Sequence, residues 1–195
     1  MHKIYLFANN PDVKKIINLI EFDENDLIVT FNICYLNNID KFLNHKNKIH
    51  VFRKENNNKL FFYDKHIEKY NSKILIFNTS KYRKDEFKKN VVNFPYEYVN
   101  LHDNKIIYNE LKKNNFLIKK VNSSPTTGLY GYLYFKNKYP ESTIYLIGFT
   151  SDYSNDINKT FGSSHNAILE QTYYNNELIK NKNLIKIDNE MFFIK

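Results

Sequence analysis

Six short runs of β-branched and aromatic residues recur along this chain of 195 residues: KIYLFA (3–8), DLIVTF (26–31), KIHVFR (48–53), KILIFN (73–78), STIYLIGF (142–149) and NLIKID (183–188). Each has the length and composition of a strand. Several are apolar almost throughout, where a strand with one wet face would alternate, and that pattern belongs to strands covered on both sides, as in a parallel sheet. Such strands need helices above and below them.

Helical segments lie between the runs. DVKKIINLI (12–20) sets Val13, Ile16, Ile17 and Ile20 on one stripe with Asp12 in position to cap it; KIIYNELKKN (105–114) and TTGLYGYLYFKNKY (126–139) follow. HNAILEQTYYNNELIK (165–180) closes the series with Ile168, Leu169, Tyr173 and Leu178 roughly in register. Strand and helix alternate, so the expected fold is α/β: a single Rossmann-like domain over residues 1–195, with a mostly parallel sheet, flanking helices and right-handed crossovers. LFFYD (60–64) reads as an extra strand in an antiparallel hairpin with 48–53, with KENNNK (54–59) as the solvated turn; 80–104 is the least legible stretch.

The formal charge is +8, with 42% hydrophobic residues and sixteen each of Tyr and Phe, which describes a chain with enough apolar material for a core. Its lysines are scattered among many asparagines and form no single basic run, so nucleic acid is not expected as a partner. The single cysteine, Cys34, allows no intrachain disulfide and suits a reducing compartment. MHKIYLFANNPD is too brief for a signal-peptide core or a bilayer span, so a cytoplasmic protein is expected. Its charge and its MFFIK end would also suit peripheral contact with the inner face of a membrane, and a homo-oligomer stays open.

In an open α/β sheet, ligands collect at the carboxyl ends of the strands, and three loops stand out there. FANNPD (7–12) follows the first strand, and its amides with Asn9 and Asn10 could hold a phosphate against a helix start; a plain turn and cap is the equal alternative. With no GxGxxG glycines it does not suit a nicotinamide dinucleotide. SSPTTGLYGYL (123–133) gathers small hydroxylated residues at a helix start, where anion binding is favoured over an ordinary N-cap with close packing at Gly128 and Gly131. TSDYSNDINKTFGSS (150–164) is the longest polar insertion and reads as a lid, and His165 behind it would be kept neutral by the positive helix end, as a general base must be. The His165–Glu170 spacing adds nothing, since five residues turn about 500° and separate the two on the helix.

Taken in order, these pieces resemble the bacterial sialyltransferases of the Campylobacter and Haemophilus lipooligosaccharide type and, more faintly, the animal sialyltransferases. FANNPD stands where that family has GNGPS; DLIVTFN resembles its D-V-x-R-F/C-N strand; SSPTTGLYGYL resembles its TSG or STG helix start; and SSHNAILEQTYY resembles its GHSxxxDxxALEFL segment. Ala8 and Asn10 replace the two glycines, and Thr30 replaces the arginine.

The resemblance, which spans residues 3 to about 174, implies a GT-A-like sialyltransferase variant of the fold with a lid loop. It further implies inverting transfer from a CMP-sugar donor to a glycan or glycolipid hydroxyl, without metal or cofactor. By position it assigns the donor phosphate to Asn9 or Asn10, the nucleotide to Asn32, the phosphate or sugar carboxylate to Thr126, Thr127 and Gly128, the base to His165 and a leaving-group contact to Tyr153. The chain has no Asp-x-Asp pair and no His/Cys cluster with zinc spacing, which agrees with a monophosphate leaving group held by amides and hydroxyls. A UDP-sugar or CMP-Kdo donor, and a non-catalytic basic domain that binds nucleic acid or polysaccharide, are the alternatives.

Overall fold

The computed structural model describes residues 2–32, 34–53, 70–78, 95–101, 103–117, 125–149 and 167–187. Among them, seven strands form one parallel sheet: β1 (Lys3–Phe7), β2 (Leu27–Phe31), β3 (Lys48–Arg53), β4 (Lys73–Asn78), β5 (Glu97–Asn100), β6 (Thr143–Ile147) and β7 (Leu184–Ile187). Their order is β5-β4-β3-β2-β1-β6-β7, a Rossmann-like α/β arrangement. The helices are α1 (Val13–Leu19), α2 (Asp40–Leu43), α3 (Lys105–Lys113), α4 (Thr127–Lys138) and α5 (Ala167–Lys180).

Both faces are covered at the centre of the sheet, which is why β1 to β4 are apolar almost without alternation, whereas the edge strands β5 and β7 are partly open. Ile4, Leu6, Val29, Phe31 and Val51 pack with Leu111 of α3, Leu129 of α4 and Tyr174 of α5. Their neighbours along the strands, Tyr5, Phe7, Ile28 and Phe52, turn the other way and pack with Ile16 and Ile17 of α1 and Phe42 of α2. Close approach of α4 to the sheet depends on two small residues. A Cβ added to Gly131 would stand 2.3 Å from Phe31 Cε1, and one added to Gly128 would stand 2.8 Å from Phe149 Cε1.

Several expectations need correction. The hairpin between 48–53 and 60–64 is excluded, because β3 is already paired in parallel with β2 on one side and β4 on the other; 60–64 itself lies outside the described residues. Asp12 does not cap α1: it is already helical in conformation and makes no side-chain cap bond. Asn10 does the local work, its Oδ1 accepting from Asp12 N at 2.9 Å in an Asx turn. On α5, Ile168 is 72% exposed and does not join the core stripe. The buried face runs instead through Glu170, Tyr173, Tyr174 and Glu177, at the i, i+3, i+4, i+7 spacing that any helix face has. Finally, β5 and α2 were not expected. β5 is a short, half-buried edge strand from the illegible stretch, and α2 is a single turn in a polar loop.

Candidate functional site

The chain builds outward from β1 to β5 on one side, then returns to place β6 on the other side of β1. Loops leaving β1 and β6 therefore diverge, and the crevice at their carboxyl ends is the topological switch point where open α/β sheets bind ligands. Here the two loops are tied together. Ala8 N donates to Ile147 O at 2.9 Å, and Asn10 Nδ2 donates to Gly148 O at 3.4 Å. Gly148 has φ +71°, and a Cβ there would stand 2.7 Å from Val13 Cγ1, so both conformation and space require glycine. Phe149 follows and lies against Gly128, which links the first loop to the start of α4.

Beside this crevice, β2 ends in Asn32, only 4% exposed and in the left-handed region at φ 44°. Its Nδ2 donates to Thr127 Oγ1 at 3.0 Å, and its Oδ1 accepts from Arg53 N at 3.3 Å. A primary amide carries two N–H donors and two acceptor lone pairs, so one of each is left over among the described residues. Thr127 is likewise 6% exposed, and the hydroxyl that accepts from Asn32 still has a proton to give.

The start of α4 is held from two directions. Thr126 Oγ1 accepts from Leu129 N at 3.1 Å, an N-cap of the ordinary kind. The same hydroxyl donates to Glu170 Oε2 at 2.7 Å, while Thr126 N donates to Glu170 Oε1 at 2.6 Å. From the other side, Arg53 at the end of β3 donates through Nη1 to Pro125 O at 2.9 Å, and its guanidinium carbon lies 5.7 Å from the centre of the Tyr130 ring. Burial pushes the Glu170 carboxyl up to about 7, against the opposing pull of the Thr126 amide and hydroxyl and of Arg53. A buried acid that changes charge near neutrality thus sits at the positive end of α4.

Asn10, Asn32, Thr126, Thr127 and Gly128 therefore share one neighbourhood, with Asn9 in the adjoining turn. Asn10 and Thr126 also serve the local turn and cap, as the plainer reading of each loop expects. Tyr153 and His165 lie outside the described residues. Sequence reasoning missed Arg53, hidden as the last residue of a strand, and Glu170, set aside for its spacing to His165. A polar residue on the same helical face as Tyr173 and Tyr174 was the signal for Glu170, because charged groups enter a core only when something there holds them.

Among the described residues, no group of three His, Cys, Asp or Glu side chains could hold a metal ion, and no helix is long and apolar enough to cross a membrane. No protein-family model, no curated protein and no solved structure matches the chain.

Proposed function

We propose that the protein is an inverting, metal-independent glycosyltransferase of sialyltransferase type, moving a sugar from a CMP-sugar to a glycan hydroxyl. One observation carries the reading. The Asn32–Thr127 hydrogen bond joins two segments 95 residues apart that the family resemblance assigns separately, one to the nucleotide and one to the phosphate. Both residues are buried, both retain a donor, and the cationic Arg53 stands beside them.

In this mechanism the neutral imidazole of His165 takes the proton of the acceptor hydroxyl as its oxygen attacks the anomeric carbon. The bond to the phosphate oxygen breaks on the opposite side, and cytidine monophosphate leaves with the electron pair. Donors from Asn32, Thr127 and the start of α4 stabilise the charge that develops on that phosphate, with Tyr153 as a further hydroxyl. Glycan or glycolipid hydroxyls are the expected acceptors.

A thermal-shift panel of CMP, CDP, UDP and GDP, with magnesium or with EDTA, tests the donor. CMP at 100 times its dissociation constant should add about 2.7 kcal/mol of stability, with no dependence on magnesium. A preference for UDP would move the proposal to a UDP-sugar donor, and no nucleotide response would remove it. Turnover of CMP-sialic acid should fall by about 10² to 10⁴ in His165→Ala, the usual worth of a general base. Undiminished turnover would take the base role from His165.

A further inference from the structure

On the opposite face of the sheet from the Asn32–Thr127 contact lies a histidine that the transfer mechanism does not use. His50 sits in the middle of β3 with 0% exposure, its ring edge-on to Phe52 with centroids 4.5 Å apart. Both ring nitrogens reach across to β2. Nε2 is 3.1 Å from the carbonyl oxygen of Asn32, and Nδ1 is 2.7 Å from Thr30 Oγ1. A carbonyl oxygen only accepts, so Nε2 carries a proton, and in the neutral ring Nδ1 accepts from the Thr30 hydroxyl.

The residue so held has an unusual backbone. Strand alternation turns Ile28 and Thr30 toward the α1–α2 layer, and Asn32 would follow them if β2 continued. Its φ of 44° sends the side chain instead to Thr127, in the layer on the other side. Asparagine tolerates this conformation better than other non-glycine residues, as Asn71 and Asn115 also show, so what singles out Asn32 is that its backbone is held on both sides in a buried position. Here both peptide groups of Asn32 are engaged by β3: its N–H donates to Val51 O at 2.9 Å, and its carbonyl accepts from His50.

We infer that His50 is a positioning residue, which grips the Asn32 carbonyl from the far side of the sheet and so maintains the left-handed turn that delivers the Asn32 side chain to Thr127 and to the nucleotide. The last step, delivery to a nucleotide, rests on the function proposed above; the grip on Asn32 does not. His50 touches no reacting atom in this role and exchanges no proton with substrate. Gln is the conservative replacement, since its amide can donate to the same carbonyl and accept from Thr30.

Two readouts separate the parts. In ¹⁵N–¹H spectra of the free protein, the Asn32 side-chain amide pair should shift and exchange faster with solvent in His50→Leu, while backbone amides of β1 and β6 hold their positions. His50→Gln should keep the pair where the wild type has it. An unmoved pair in His50→Leu, or equal displacement in both variants, would overturn the inference. Where His50→Leu gives no folded protein, His50→Phe is read in the same way, because it keeps a planar ring and loses the bond to the Asn32 carbonyl, and an unmoved pair again overturns the inference. Calorimetric titration with cytidine monophosphate should then show a dissociation constant raised about tenfold in His50→Leu and restored in His50→Gln, the scale of one lost hydrogen bond. A wild type that binds no cytidine monophosphate would remove the transfer function while the amide spectra still decide the role of His50.

Discussion

The two ends of the sheet treat their buried polar groups differently. At the amino end, Asp26 accepts from Lys3 N at 3.3 Å and Asp23 N at 2.9 Å, and its own carbonyl accepts from His45 Nε2 at 2.7 Å. Burial, with the negative charge of nearby Asp26, raises the Tyr5 hydroxyl well above its usual range. The three Asp26 contacts join residues no more than 23 apart. At the carboxyl end some contacts are far more remote in sequence, with Thr126–Glu170 separated by 44 residues, Arg53–Pro125 by 72 and Asn32–Thr127 by 95. That end also carries costs at buried positions: a left-handed asparagine, where the left-handed Asn71 at the amino end is exposed, an acid raised toward neutrality and, close to Glu170, the Tyr174 hydroxyl with no hydrogen-bond partner among the described residues. One end is arranged to hold the sheet together, whereas the other keeps features that stability alone would remove, as sites of function do.

Three substitutions would break or sharpen this contrast. Asp26→Ala strands several donors at the amino end and should cost about 4 kcal/mol, seen as a lower urea midpoint at constant slope, with nucleotide binding by the folded fraction unchanged. A cost under about 1 kcal/mol would erase the distinction between the ends.

Glu170→Gln should act in the opposite direction. The carboxyl titrates near 7 in the fold against 4.5 ordinarily, so the folded state holds the proton more tightly. This group therefore favours folding below about pH 4.5, loses that contribution as pH rises to about 7, and leaves a penalty of at most about 3 kcal/mol above it. Gln resembles the protonated acid, so the variant should be the more stable protein at pH 8, and the slope of stability against pH between those values should flatten. Equal slopes in both proteins would show that Glu170 is already charged throughout.

The smallest effect is expected at Tyr174→Phe, which removes the unpartnered hydroxyl and should raise stability by about 1 kcal/mol in calorimetry. A loss in its place would mean that the hydroxyl is satisfied in solution.

Much of the fold was legible because burial writes itself into composition. Six of the seven strands were found from their apolar runs, since a strand covered on both faces has few polar positions to confuse it. β5 escaped, as its residues are half-buried and its edge position asks less of them. The stripe on α5 was misplaced at Ile168 for a related reason: periodicity was sought in apolar residues, while the helix buries two glutamates. At the site, Thr126 and Thr127 were singled out through helix-start chemistry and Asn32 only through the family resemblance. His50, Arg53 and Glu170 were not, because each lies inside a regular element whose pattern says nothing of what its side chain meets.

Local chemistry, then, settled which segments are strands and helices and that the sheet must be enclosed, because hydrophobic periodicity and helix-start residues act over a few neighbours. Only the assembled sheet decided that β6 returns beside β1, that Asn32 turns toward α4 rather than α1, and that Glu170 closes on Thr126. Those outcomes depend on groups dozens of residues apart competing for the same buried hydrogen bonds, and that competition exists only once the chain has packed.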